Sequence, residues 1–240
     1  MRAIRHVLIA VPAHDEAELL PRCIASIGAA RQPAQRAGMS VDVVIVLDDC
    51  TDDSAAQVKS SRVEGLRVEH IRANSVGAAR AHGIRRGLAA SMAPPEATWI
   101  ACTDADSEVP PNWIISQVAL ANRGADLVIG TVRPDPTDLS AEQIVAWQAT
   151  RNLDHPNGHV HGANLGMRAQ SYLAAGGFGR DRVHEDVNLV ARIRALPAIT
   201  VVASAEADVL TSGRRDARAP DGYARYLHRD LLRETREPVL

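Results

Sequence analysis

Long apolar runs are missing from this chain. No stretch approaches the ~20 consecutive apolar residues that a membrane-spanning helix needs. Residues 1–11 hold charges around a short apolar run and read as a first strand instead of a signal peptide. Cysteine is scarce: Cys23, Cys50 and Cys102 are odd in number, widely spaced and form no CxxC. That argues against a disulfide framework and a zinc site. Together these gaps point to the cytoplasm. Net charge is only −2, so bulk electrostatics give no reason to expect a nucleic-acid partner. Lysine occurs once, as Lys59, so the basic residues are nearly all arginine and an isolated arginine says little about phosphate. No GxGxxG follows the first strand, and neither GxxxxGK[ST], HExxH nor GxSxG occurs. A dinucleotide Rossmann site, a P-loop, a zincin and a serine hydrolase elbow are therefore unsupported.

What is present is an alternation. With 240 residues, 46% hydrophobic and 23% charged, the chain can close one well-covered core. "HVLIAVPA" (6–13), "VDVVIVLDD" (41–49), "LRVEHI" (66–71), "TWIACTD" (98–104) and "ADLVIGTV" (125–132) read as strands. Helical spacing fills 16–30, about 52–59, 75–90 and 110–123, the last with proline in its first turn. This rhythm predicts an α/β domain with a mostly parallel sheet. Ligands in such sheets lie beyond the carboxyl ends of the strands. After Val132 the rhythm breaks: helices are expected over 139–153 and 184–196, one or two strands after 199, and a helix in the tail from Pro220. No repeat or clear linker divides the chain.

Acidic residues gather at the strand ends. Asp104 and Asp106 stand at i and i+2, which in an extended segment places both carboxylates on one side. Such a pair suits magnesium or manganese bridged to phosphate; a plain strand-end turn is the other reading. Asp48 and Asp49 follow an aliphatic strand, and Asp52 and Asp53 suit a helix start. Asp49 lies before that cap and is placed to accept from a nucleobase or ribose. Glu185 and Asp186 open a helix, where acids are favoured, or one is a general base. His159 and His161 in "GHVHGANLG" read as pocket residues or as a metal pair. Arg214, Arg215 and Arg218 read as a diphosphate clamp or as a solvated loop.

Taken in order, "VPAHDEAELLPRCIASI", "VIVLDDCTDDS", "SVGAARAHGI", "TDADSEVPPNWI", "GANLGMRAQSYLAAGGF" and "HEDVNLVARI" resemble glycosyltransferase family 2, of the GT-A fold, from about His6 to Leu196. The resemblance implies one GT-A-type domain: a mostly parallel twisted sheet flanked by helices, with a variable carboxy-terminal third. Residues 1–132 would bind the nucleotide sugar, 133–218 the acceptor and the catalytic groups, and 219–240 would form a terminal helix. It implies transfer from a UDP- or GDP-sugar, with Mn2+ or Mg2+, to a small or lipid-type acceptor hydroxyl. Pro12, His14 and Glu16 would border the nucleoside, Asp49 would bind the base, and Arg80 would sit near base or phosphate. Asp104 would contact the ribose side and, with Asp106, the metal; Gly162, Ala163 and Asn164 would line the sugar and acceptor cleft. Asp186 would be the catalytic base with Glu185 beside it. A base opposite the leaving group implies inversion, although the fold hosts both outcomes.

Neither a Q-x-x-R-W motif nor a membrane helix accompanies these motifs, so single additions are expected. Aromatics make up only 3%, which favours a small or non-polymer acceptor over a long glycan. Tyr223, Tyr226, Leu227 and Leu231 share one helical face, read as core packing, with an acceptor lid, a dimer face or membrane-surface contact as further readings. Two rival functions are a non-catalytic nucleotide-sugar binder and a haloacid-dehalogenase-like phosphatase. The latter fits poorly, because Glu108 stands where its D-x-D-x-(T/V) motif ends.

Overall fold

A computed structural model describes residues 2–61, 63, 65–152, 156, 158–179, 184–215 and 223–236. The strands are β1 (His6–Ala13), β2 (Ser40–Asp48), β3 (Leu66–Ile71), β4 (Thr98–Cys102), β5 (Ser107–Glu108), β6 (Leu127–Pro134), β7 (Leu165–Arg168) and β8 (Val201–Thr211). The helices are α1 (Leu20–Arg36), α2 (Ser54–Ser60), α3 (Val76–Ala90), α4 (Trp113–Asn122), α5 (Ala141–Ala149), α6 (Ala169–Ala174) and α7 (Glu185–Arg194). A terminal helix follows as Tyr223–Arg225, a π-helical turn Tyr226–Asp230, and Leu231–Arg236.

The eight strands form one sheet in the order β3-β2-β1-β4-β7-β6-β8-β5. β3, β2, β1 and β4 run parallel, with Ile9 opposite both Val43 and Ala101. β7 enters antiparallel between β4 and β6, and β6 pairs parallel with β8. Every residue of β1 is buried, as expected of a central parallel strand covered on both faces. Alternation divides the core. Val7, Ile9, Val43, Ile45 and Trp99 face α1 and α4 through Leu20, Cys23, Ile27, Trp113 and Ile114. Leu8, Ala10, Val44, Val46 and Ile100 face α3, α6 and α7 through Ala79, Ile84, Tyr172, Leu189 and Ile193.

Two element boundaries shift for a physical reason. α1 begins at Leu20, not near Glu16, because the Glu16 and Ala17 backbone N–H groups donate across to Ser54 Oγ (2.9 Å) and Asp52 Oδ2 (2.8 Å). α4 begins at Trp113, and Pro110 and Pro111 lie in the turn ahead of it, where the Trp113 N–H donates to the Pro110 carbonyl (2.9 Å). The carboxyl ends of β1, β2 and β4 therefore open onto one rim. They carry Pro12–Glu16, Asp48–Asp49 and Thr103–Asp106.

Candidate active site

A cavity of about 960 Å³ lies along that rim. Pro12, His14, Asp48, Arg80, Asp104, Asp106, Gly162, Ala163, Asp186 and Arg214 contribute to its wall. Most of the residues singled out in the sequence are thus brought together.

The first wall is built from crossed loops. Asp15 adopts a left-handed backbone (φ 50°), and its carboxylate accepts from the Thr51 N–H (2.6 Å) and the Asp52 N–H (3.2 Å). The Thr51 bond, ahead of the small opposing effect of burial, holds the Asp15 carboxyl below its ordinary range. Asp48, only 3% exposed, accepts from the N–H groups of Ala73 (2.7 Å), Asn74 (2.9 Å) and Ser75 (2.8 Å). That carboxylate fastens the turn into α3, where Ser75 caps by accepting from the Ala78 N–H.

Asp49 does not share this wall. Its left-handed backbone (φ 55°) turns the chain just after β2, and its side chain is exposed outside the cavity. The acid that borders the cavity at the end of β2 is Asp48, which corrects the expectation for Asp49.

The centre is organised by Arg80. It is 2% exposed and pairs with Asp104 through Nη2 and with Glu185 through Nη1. Phe178 lies beneath the guanidinium, 5.7 Å from ring centroid to Cζ. Gly162 covers it: a Cβ there would stand 2.2 Å from Nη2, so only glycine lets the turn approach. Burial opposes the arginine's charge, but Asp104 and Glu185 outweigh it and raise its pKa. Burial raises the Glu185 carboxyl, and Arg80 counteracts it. Cys102, buried alongside, is pushed up to about 12 chiefly by burial, which rules it out as a thiolate nucleophile.

Asp104 and Asp106 both reach the cavity wall, but from a turn closed by the Ser107 N–H on the Asp104 carbonyl (3.1 Å) and not from the extended segment that the spacing argument assumes. Asp106 Oδ2 lies 3.4 Å from Arg214 Nη2. Asp186 lies on the wall beside Glu185, its Oδ1 accepting from the Val187 N–H (2.8 Å). His184, which precedes the pair in a left-handed conformation (φ 61°), sets the direction in which α7 starts.

Three further site expectations need correction. Asn164 is 1% exposed and lies behind the wall. Its Oδ1 accepts from Trp113 Nε1 (2.9 Å) and Gln117 Nε2 (3.2 Å), and its Nδ2 donates to the carbonyls of Thr131 (2.8 Å) and Ala207 (2.7 Å). All four of its hydrogen-bonding positions are occupied by the protein. Glu16 is also buried behind the wall, paired to Arg214, and does not border the cavity. Arg215 is exposed and off the wall, and Arg218 lies outside the described residues. Replacing Asn164 by Ala is expected to cost about 3 kcal/mol in chemical denaturation, because buried donors and acceptors lose their partner. Donor affinity should stay unchanged; a drop in affinity at unaltered stability would return Asn164 to the ligand-binding residues.

A further part of the cavity wall is aromatic; the sequence offered its two histidines as pocket residues and its two tyrosines as an acceptor lid, but not Trp147 or Arg151. Trp147, Arg151, Tyr223 and Tyr226 make up this part, together with His159 and His161. Trp147 Nε1 donates to Tyr223 Oη (3.1 Å), Tyr223 stacks with Tyr226 at 6.2 Å, and His161 meets Tyr223 edge-on at 5.3 Å. Arg151 lies over the Trp147 ring at 4.5 Å and pairs with Asp208 (2.9 Å). Burial lowers the His161 pKa, which favours the neutral ring. Leu227 and Leu231 are fully buried with Ala146 of α5, so the helical face noted in the sequence packs on α5 and carries the tyrosines to the cavity. The signal available was the Tyr-x-x-Tyr-Leu spacing of the tail.

Comparison with known proteins now adds to the geometry. The chain is 30% identical over 173 residues to the undecaprenyl-phosphate 4-deoxy-4-formamido-L-arabinose transferase of Enterobacter sp. (strain 638), covering 72% of this chain and 50% of that protein. The protein of the same description from Klebsiella pneumoniae is 26% identical over 70% of this chain and 49% of its own length. The chain thus spans about half the length of these curated relatives. Among solved structures, the mannosyltransferase PcManGT from Pyrobaculum calidifontis, in complex with GDP-Man and Mn2+, superposes with a TM-score of 0.62 at 20% identity, covering 94% of this chain and 60% of that one. S. aureus TarS in complex with UDP gives 0.61 at 12% identity, over 97% and 72%. At these identities the likeness is one of fold. Residues 8–169 match the profile described as "Glycosyl transferase family 2", and the chain belongs to that family.

Proposed function

We propose that this glycosyltransferase moves one sugar at a time from a UDP- or GDP-sugar to a lipid-type acceptor, inverting the anomeric centre and using Mn2+ or Mg2+. The observation that carries the reading is one continuous cavity whose wall holds both the acids at the strand ends and the aromatic rings of Trp147, Tyr223 and Tyr226. A volume of 960 Å³ is at the upper end of the roughly 300–1,000 Å³ typical of a single-ligand pocket, which suits two substrates meeting in one space.

The donor set fits a hard divalent cation. Asp104 and Asp106 offer carboxylate oxygens on the wall, and among the described residues no third protein ligand is grouped with them. Magnesium-type ions take one or two carboxylates and complete their shells with water and substrate phosphates. Bound there, such an ion supplies Lewis-acid stabilisation of a leaving diphosphate. The chain's own groups do the rest. Arg80 fixes the direction of Asp104. Glu185, engaged with Arg80, is a positioning residue for the start of α7. Asp186, beside it on the wall, takes the proton from the acceptor hydroxyl as the bond to the sugar forms from the face opposite the leaving group.

The acceptor end is read from Trp147, Tyr223 and Tyr226, whose rings offer apolar surface. The two curated relatives act, by their names, on undecaprenyl phosphate, which supports a lipid-type acceptor here. No helix among the described residues is long and apolar enough to cross a membrane. In this reading the acceptor is met at a membrane surface.

Donor binding raises stability by mass action, about 2.7 kcal/mol at one hundred times Kd. For a domain of this size that is roughly 5–10 °C in Tm. A panel of nucleotide sugars with Mn2+ is therefore expected to yield at least one shift of that size, absent in Asp106→Ala. A panel without any shift overturns the donor assignment; an equal shift in Asp106→Ala removes its metal role.

A further inference from the structure

Glu16 is 2% exposed and does not reach the cavity, whereas Arg214 lines it. The two are joined by a forked pair: Nη1 donates to Oε2 at 3.0 Å, and Nη2 donates to Oε1. The same Nη2 stands 3.4 Å from Asp106 Oδ2. Both partners are held from behind. The Glu16 N–H donates to Ser54 Oγ (2.9 Å). The Ser212 N–H donates to the Asp106 carbonyl (3.1 Å), the Gly213 N–H to Asp138 Oδ2 (2.7 Å), and His228 Nε2 meets the Gly213 carbonyl at 2.7 Å. Ser107 Oγ donates to Thr211 Oγ1 (2.8 Å), tying the strand that follows Asp106 to the strand that precedes Arg214.

We infer that Glu16 and Arg214 are a positioning pair that keeps a fixed cation beside Asp106, so that a divalent metal enters the site together with a diphosphate and binds poorly without one. Moving the guanidinium away would break both hydrogen bonds of a forked pair to a carboxylate that is buried, which is unfavourable. Arg214 therefore stays in place as ligands arrive. A dication arriving alone at Asp106 meets an acid whose field is already offset by a guanidinium. A diphosphate adds negative charge that both cations attract, so each ligand tightens the other, by the same factor in both directions. Glu16 then serves the diphosphate through Arg214 and makes no contact with the nucleoside.

The inference rests on reading the cavity as a nucleotide-diphosphate-sugar site, and calorimetry on the full chain separates the two. The probes are Mn2+ alone, and UDP and GDP with and without Mn2+. In the wild type, UDP or GDP should tighten Mn2+ at least tenfold. In Arg214→Met, Mn2+ alone should bind about tenfold tighter, because a like charge close by has been removed. Diphosphate binding in the presence of Mn2+ should weaken about tenfold. Glu16→Gln, which releases the anchor, should weaken diphosphate binding in the same way. General damage to the site would weaken both ligands, so the opposite signs are diagnostic. If Arg214→Met does not fold, Arg214→Gln keeps a hydrogen bond to Glu16 and tests the same point. A variant that binds Mn2+ alone no more tightly than the wild type, including undetectable binding in both, overturns the inference. If the wild type binds neither UDP nor GDP, the donor reading fails and the inference falls with it; if it binds them but Arg214→Met gains no affinity for Mn2+ alone, only the inference falls.

Discussion

Asp186→Asn is expected to lower turnover by roughly 100-fold or more, the scale of a lost general base, while donor affinity stays within about twofold. Neighbouring Glu185 also lines the cavity, but its carboxylate is buried and held by Arg80, so it does not take over the role. The side chain of Asn keeps the size and the acceptor oxygen that receives the Val187 N–H, so the start of α7 is preserved. Steady-state turnover, paired with calorimetry on the donor nucleotide, separates the chemical step from binding. The same variant reports on the acceptor. A phosphate nucleophile is largely ionised at neutral pH, since its second pKa is about 6. Near-wild-type turnover would remove both the base assignment and the hydroxyl acceptor.

Arg80→Met is expected to cost about 3–5 kcal/mol, because two carboxylates lose their buried cation. For this chain that corresponds to a fall of roughly 10 °C in Tm. Removing one of the stranded acids should recover part of it: Arg80→Met with Glu185→Gln is expected to be more stable than Arg80→Met alone, a non-additivity of the kind shared partners produce. Gly162→Ala approaches the same arginine from outside and should cost about 1–3 kcal/mol by overpacking, since the new methyl would stand 2.2 Å from Nη2. Urea denaturation of the three variants measures all of this. A loss of under 1 kcal/mol in Arg80→Met would show that the arginine does not hold the centre together.

Much of the architecture was legible because it is local. The aliphatic runs of β1, β2 and β4 and the helical spacing of α3 and α7 stand where the periodicity predicts them. The reversed β7 was not legible: "LGMR" is four residues long, and its antiparallel pairing with β4 is a long-range contact that no local pattern records. Asp104 and Asp106 could be placed at one strand end because they are close in sequence, but a turn and not strand alternation brings both to the wall. Asp48 and Asp49 could not be told apart, because adjacent residues point opposite ways and the left-handed turn at Asp49 decides which acid reaches the cavity. Asn164 read as a cleft residue from its glycine-rich surroundings, yet four partners on other elements draw it into the core.

The order of strands and helices, and the gathering of acids at strand ends, belonged to the sequence by itself, because hydrophobic periodicity and strand alternation act over a few neighbouring residues. Which charges meet was decided only by the tertiary structure. Arg80 reaches Glu185 across 105 residues and Arg214 reaches Glu16 across 198. Electrostatic attraction depends on separation in space, and closure of the sheet sets that separation.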